Sequence, residues 1–321
     1  MDWQPTGSLA ALRARASLYR QVRAFFQARG VLEVETPALS QAGNTDPNIH
    51  SFRVDTPGGS RYLHTSPEYP MKRLLAAGSG DIFQICKVWR QDESGRKHNP
   101  EFSMLEYYRV GFTYPQLMRE VAALLHEVIP YLKVAPEVRT YRECFLETLG
   151  IDPHVAPEAE LATTAAAQGI DMQGTQSTLS RQAWLDLLFT HCIEARFPTD
   201  RLTFVCHYPA TQAALARIRQ EAGHSPEHSH WVAERFEVYL GSLELGNGYQ
   251  EQTDAAPLER VLREEGAQHA QTIPVDVRFI AAVQAGMPFC AGIALGLDRI
   301  LLCRMQEKHL HRVVSFAWDV A

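Results

Sequence analysis

The chain has 321 residues, 45% of them hydrophobic and 21% charged, the balance of a soluble globular protein with room for one large domain or two small ones. A formal charge of −6 gives no electrostatic footprint for general nucleic-acid binding, which usually needs a basic face. The most apolar stretch, Ala285 to Leu297, is too short to span a bilayer, and the N-terminus lacks the basic, apolar, small-residue order of a signal peptide, so a cytoplasmic protein is expected.

In chain order, Ser8 to Arg29 reads as an amphipathic helix, with Ser8 as cap, Leu9, Leu12, Val22, Phe25 and Phe26 near helical period, and Gly30 as stop. The β-branched run before Pro37 predicts a short strand, and Gly43 to Gly59 a polar loop. Phe83 to Arg90 and Phe102 to Val110 predict an antiparallel hairpin around the charged loop Gln91 to Glu101. Helices are predicted at Leu117–Ile129 and Trp184–Ile193, with a small helical insertion over 152–180 between them. Gln220 to His230 is expected to be an exposed loop, Ala256 to Gln271 a polar helix, and Gly292 to Leu302 a strand running into a helix. Strands and helices in this irregular order favour an α+β fold over a doubly wound sheet. Six scattered cysteines without a Cys-x-x-Cys pair point to reduced, mostly buried thiols.

Three segments carry chemistry. In FEVYLGSLELGNGYQE, residues 236 to 251, Gly241-Ser242 fits a two-residue type II′ turn. That turn sets Glu244 opposite Tyr239, and strand alternation then brings Glu237 and Glu244 to one face, either as a pair of solvated carboxylates or as oxygen ligands for Mg²⁺ on phosphates. Asn247 and Glu251 share a parity that Glu244 does not, and a bulge at Gly246 or Gly248 would turn them toward the same cavity, with Glu251 a counter-charge for an ammonium group. In WRQDESGRKHNPEF, Arg90 and Asp92 at i, i+2 are expected on one strand face. There Arg90 either grips a phosphate or forms a cross-strand ion pair, and Phe102 either stacks on a base or packs in the core. In GIALGLDR, residues 292 to 299, the glycines allow close approach and Arg299 sits at a strand-to-helix junction, where tight packing is an equal explanation. His224, His228 and His230 lack a Glu partner and a regular helix spacing, so they offer little as a metal site.

Taken together and in order, VLEVETPAL, RQDESGRKHNPEF and GIALGLDR resemble the three signatures of class II aminoacyl-tRNA synthetases. TSPEYPMKRLL, HNPEFSMLE and ELGNGYQE resemble the lysine-specific branch. With only one helix before the first signature, the anticodon-reading domain is expected to be absent. The whole length is similar to the truncated lysyl-tRNA synthetase paralogues that attach β-lysine to a lysine side chain of translation elongation factor P.

The resemblance implies a single class II catalytic core, an antiparallel sheet flanked by helices, that uses ATP and Mg²⁺. It implies Arg90 on the α-phosphate, Arg299 on the γ-phosphate, and Phe102 on adenine, with Asp92, His98 and Asn99 near the nucleotide. Glu237 and Glu244 would hold Mg²⁺, Glu244 also touching ATP. Ser66, Glu68 and Asn247 would take the amino and carboxylate end of the substrate, and Glu251 its ε-ammonium. Two departures stand out: Asp92 where the family usually has Glu, and Ala294 where lysyl-tRNA synthetases usually have Gly, the latter favouring β-lysine over α-lysine. The competing readings are a ligase for α-lysine, a non-catalytic regulatory paralogue and an amide-forming synthetase. A homodimer is expected through roughly Ala10 to Pro37.

Overall fold

Ser8 accepts a hydrogen bond from the Ala11 amide (3.1 Å), which satisfies one free donor of the first turn and starts α1 (Leu9–Gln27) where its sequence predicts. Leu18, Val22, Phe25 and Phe26 face inward, and Gly30, at φ 68°, ends the helix. The computed structural model describes residues 3–170, 179–221, 229–269 and 273–321. These fall into two compact units, one of residues 1–131 and 245–321, the other of residues 132–244.

In the first unit, β1 (Leu32–Glu33) follows α1. A small sheet comes next, formed by β2 (Leu39–Ser40), β3 (Arg53–Thr56) and β4 (Gly59–Leu63) in the order β2-β4-β3. The expected loop at 43–59 therefore contains a strand, β3, whose Arg and Asp conceal its alternation. Helix α2 (Glu68–Ala76) leads to the predicted hairpin, β5 (Ile82–Trp89) and β6 (Glu101–Val110), in register from Ile82↔Tyr108 to Trp89↔Glu101. Helix α3 (Tyr114–Val128) closes this half, held at its start by a Thr113–Gln116 capping box.

In the second unit, β7 (Glu137–Thr140), α4 (Tyr141–Leu149), α5 (Glu158–Ala167) and α6 (Arg181–Leu188) precede β8 (Leu202–Pro209), β9 (Ile218–Glu221) and β10 (His230–Leu240). Only part of the stretch expected as a helical insertion is described, and it holds α5; residues 171–178 lie outside the described residues, as do 222–228 of the expected loop and 270–272. β10 pairs antiparallel with β8 and β9, while β7 pairs parallel with β8.

Strand β11 (Leu243–Gln250) follows a two-residue turn in which Gly241 has φ 56° and Ser242 does not, as a type II′ turn requires. Helices α7 (Ala255–Gly266) and α8 (Val277–Gly286), strand β12 (Cys290–Gly296) and helix α9 (Leu297–Arg304) complete the first unit. Its main strands run β1-β5-β6-β12-β11, with β1 parallel to β5 and the other neighbours antiparallel. The sheet is thus mixed rather than wholly antiparallel, because β1 and β5 are joined by a connection long enough to cross over. One face packs on α1, where Phe26 stacks on Phe83 with ring centroids 4.5 Å apart and meets Tyr107 at 4.8 Å. The other face carries the candidate site. Among the described residues no helix is long and apolar enough to cross a membrane.

Candidate active site

Alternation along β6 puts Phe102, Met104, Glu106 and Tyr108 on the face away from Phe26. The register carries this face across the sheet: Glu106 lies opposite Gln84 on β5 and Ala294 on β12, and Ala294 lies opposite Asn247 on β11. Tyr108 lies opposite Gly292, and Gly292 opposite Tyr249. The strand in the middle contributes Cys290, Gly292, Ala294 and Gly296 to the face, all small, so it forms a shallow floor between taller walls.

At one end of the floor is a buried polar cluster. Glu106 accepts hydrogen bonds from the Ser66 hydroxyl and the Tyr108 hydroxyl, each 2.6 Å. Burial, reinforced by the nearby Glu68 charge, pushes the Glu106 carboxyl up to about 8, so it holds its proton at neutral pH. Ser66 also accepts from the Glu68 amide at 3.0 Å, tying the start of α2 to this carboxyl. One turn further along α2, Lys72 Nζ lies 2.6 Å from Glu68 Oε1 and 2.6 Å from Glu251 Oε2. Burial alone would lower the Lys72 pKa, but Glu251 and Glu68 outweigh it and raise the group above its ordinary value. The helix is seated by Tyr69, whose ring stacks on Phe279 of α8 at 4.8 Å. A Cβ at Gly292 would lie 2.7 Å from Glu251 Oε1 and would also strike the Tyr108 ring, so only glycine leaves room there. Asn247 Oδ1 is buried and has no hydrogen-bond partner among the described residues.

At the other end, Arg90 leaves β5 with its amide on the Pro100 carbonyl (2.9 Å) and its guanidinium 3.3 Å from Glu93, with its Cζ 5.1 Å from the Phe102 ring centroid. Phe102 is half-buried, whereas Tyr107 on the opposite face is fully packed, so Phe102 does not serve the core. Arg299, in the first turn of α9, donates from Nη2 to His98 Nε2 at 2.6 Å. Burial and then the Arg299 charge hold the His98 imidazole below its usual range, consistent with a neutral ring that accepts. Arg299 is placed by its neighbour: Asp298 accepts the Ser103 amide at 2.8 Å and pairs with Arg15, pinning α9 to β6 and α1.

Several sequence expectations change here. Asp92 does not share a strand face with Arg90, because β5 ends at Trp89 and Asp92 adopts a left-handed φ of 68°, so alternation has stopped; Glu93 is the acid beside Arg90. Asn99 spends both polar ends on backbone, donating to the Glu101 carbonyl at 2.6 Å and accepting from the Trp318 amide at 3.1 Å. No bulge turns Asn247 and Glu251: residues 246–250 pair with 295–291 without a break, and Gly246 instead admits close packing, since a Cβ there would lie 2.5 Å from the Ala294 carbonyl oxygen. Glu251 reaches the floor by ordinary parity with Asn247.

The other two expected residues, Glu237 and Glu244, lie in the second unit. Glu237 is buried rather than solvated; it accepts from the Tyr208 hydroxyl at 2.7 Å and from Tyr239, and it pairs with Arg235. Burial raises the Tyr239 phenol well above its ordinary pKa, and the charges of Glu237 and Glu244 add to the effect, so both carboxylates sit near that ring. Among the described residues no group of three or more His, Cys, Asp or Glu is arranged to hold a metal. Mg²⁺ takes one or two carboxylates and completes its shell with phosphate and water oxygens, a donor chemistry that Glu244 and Glu237 share, with both Glu237 oxygens engaged here by Arg235, Tyr208 and Tyr239.

Sequence reasoning missed Lys72, Glu106 and Tyr108. Lys72 and Glu68 stand at i, i+4 on a helix and look like a surface pair. Glu106 sits in an aromatic strand where parity with Phe102 was the available signal.

The chain matches the family described as tRNA synthetases class II (D, K and N) over residues 1–319. It is 43% identical to the elongation factor P--(R)-beta-lysine ligase of Pectobacterium atrosepticum, over 100% of this chain and 98% of that protein. The ligases of the same name from Vibrio cholerae (43%, covering 100% and 99%) and Haemophilus ducreyi (40%, covering 100% and 98%) are similar in the same way.

Proposed function

The chain belongs to the class II tRNA synthetases (D, K and N), and on that basis we propose that it is an ATP-dependent, AMP-forming ligase that activates β-lysine and transfers it to a lysine side chain of translation elongation factor P. The observation that carries this reading is the layout of β6, where Phe102 and Glu106 share one face four residues apart, about 13 Å at the usual strand rise. One end offers guanidinium groups and an aromatic face for a nucleotide; the other offers buried carboxyl groups for amines.

In the first step the substrate carboxylate attacks the α-phosphorus of ATP and pyrophosphate leaves, giving an aminoacyl-adenylate. In the second, the ε-amine of the protein lysine attacks the acyl carbon, loses a proton and displaces AMP. No nucleophile from this chain is needed. Arg90 serves the α-phosphate and Arg299 the γ-phosphate, while Phe102 stacks on adenine. His98 stays neutral and orients Arg299. Asn99 and Asp92 shape the β5–β6 loop rather than touch the nucleotide. Ser66, Glu68, Asn247 and Glu251 bind the amino acid, and Ala294 narrows the floor beside it. Glu237 and Glu244 would hold Mg²⁺, which neutralises phosphate charge when bound. A homodimer through roughly Ala10 to Pro37 accords with the exposed Leu9, Leu32 and Leu39 in and beside that segment. Binding of α-lysine is the alternative, since its amino groups meet the same carboxyl groups.

The test is ATP–pyrophosphate exchange with β-lysine and α-lysine side by side, followed by mass spectrometry of elongation factor P after incubation. A β-lysine adduct on one lysine is expected. Exchange with neither amino acid would overturn the reading.

A further inference from the structure

We propose that Lys72 is a positioning residue that converts Glu68 and Glu251 into two separate ammonium receptors, so that the pocket reads both amino groups of a diamino acid. The proposal rests on the ligase reading above and adds a specificity device to it.

Lys72 is not a surface cation, because its side chain is 1% exposed and its ammonium is committed to two carboxylates. Its ammonium is an internal strut. It takes one oxygen from each carboxylate, Oε1 of Glu68 and Oε2 of Glu251, both at 2.6 Å, so these oxygens lie no more than about 5 Å apart. Two buried carboxylates at that separation do not both ionise without a cation between them. Lys72 is that cation: burial raises the Glu251 carboxyl to about 7, the Lys72 charge draws it back toward ionisation, and each carboxyl group keeps a second oxygen for a ligand. Glu251 Oε1 is turned toward Gly292, where the floor carries no side chain of its own. Glu68 retains 22% exposure, so its second oxygen is open to an incoming group.

The charge count agrees. Glu68, Glu106 and Glu251 are the carboxyl groups of this end of the floor, and Lys72 is its fixed cation. Tyr69, Tyr108, Cys86, Cys290 and Glu265 are the other titratable groups whose fields reach this cluster; burial keeps the first four neutral and pushes Glu265 up to about 7. With Glu106 holding its proton, the carboxylates of Glu68 and Glu251 against the Lys72 ammonium leave one net negative charge to be matched. A diamino acid, with two ammonium groups and one carboxylate, carries one net positive charge and matches it; a monoamino acid of equal length is neutral overall and leaves one buried carboxylate uncompensated, which costs binding.

The experiment is pyrophosphate exchange with full-length wild-type, Lys72→Met and Lys72→Arg proteins from pH 6 to 9, with thermal unfolding of each. Lys72→Met is expected to raise the KM for β-lysine about 10–100-fold, as loss of a charge-assisted contact does, while the KM for ATP stays within about twofold. Its KM–pH profile is expected to shift to higher pH, and Lys72→Arg to restore part of both. A folded Lys72→Met protein with wild-type KM and pH profile overturns the proposal and leaves the ligase reading intact. A wild-type protein inactive with every lysine-type amino acid overturns both. Should Lys72→Met not fold, ¹⁵N-lysine labelling of the wild type decides, because the chain has only five lysines (72, 87, 97, 133 and 308). The Lys72 ammonium signal is expected to persist and shift on saturation with β-lysine. An unchanged signal, or one lost to solvent exchange, overturns the proposal.

Discussion

Arg299 donates to His98 across 2.6 Å, which joins the first turn of α9 to the loop between β5 and β6. The pair brings together two segments 201 residues apart in sequence. Removing it should act on the chemistry more than on the fold. Arg299→Ala is expected to lower the pyrophosphate-exchange rate about 10²–10³-fold, the usual cost of one transition-state donor, with little change in melting temperature. Near-normal turnover would take Arg299 out of this role.

Glu106 gives a pH dependence of definite sign. Its folded value is about 8 against an ordinary 4.5, so the folded protein keeps a proton that the unfolded chain releases between those values. Its contribution to stability is therefore fully present below pH 4.5 and is lost as pH rises toward 8. Glu106→Gln, which stays neutral throughout, should flatten that decline in urea unfolding measured at pH 5, 6.5 and 8. An unaltered slope would show that Glu106 does not titrate in this window.

Ala294 faces Glu106 on one side and Asn247 on the other. In the proposed pocket a methyl group here would reshape the floor beside the carbon that bears the amino group, where the two lysine isomers differ. Ala294→Gly is expected to move the β-lysine to α-lysine ratio of kcat/KM toward α-lysine by roughly tenfold, within the range one methyl group commands in a pocket. An unchanged ratio would assign the discrimination elsewhere.

Gly292 tests how tightly the floor is built. Gly292→Ala places a Cβ 2.7 Å from Glu251 Oε1 and into the Tyr108 ring. Overpacking of this kind costs about 1–3 kcal/mol, so a lower melting temperature and a raised KM for β-lysine are expected together. A variant with wild-type stability and KM would mean that β12 can shift without cost.

The sequence was legible wherever local physics decided the outcome. Helix α1 follows from the Ser8 cap, its apolar period and Gly30; the β5–β6 hairpin follows from two apolar runs flanking charge. The Gly241 turn follows from the only residue that takes its φ without strain. What depended on partners distant in sequence was harder to read. The parallel pairing of β1 with β5 leaves no mark on two residues of strand, and β3 alternates with an Arg and an Asp that also suit a loop. In the site, Arg90, Phe102, Asn247, Glu251 and Arg299 came from motifs, but Asp92 was misplaced because a strand's end is set by one backbone angle. Lys72 and Glu106 were missed because burial, which gives them their chemistry, is a property of the assembled sheet and α2.

Both ends of the proposed substrate channel hang from one strand, and this limits how the protein can vary. A single-residue deletion or insertion in β6 between Phe102 and Tyr108 would reverse the facing of everything beyond it. The nucleotide platform and the amine receptor would then point to opposite sides of the sheet, one of them into the packing under α1. The stretch tolerates exchange of side chains but no change of length, so drift in the separation between the two ends has to come from the loops at either end of the strand.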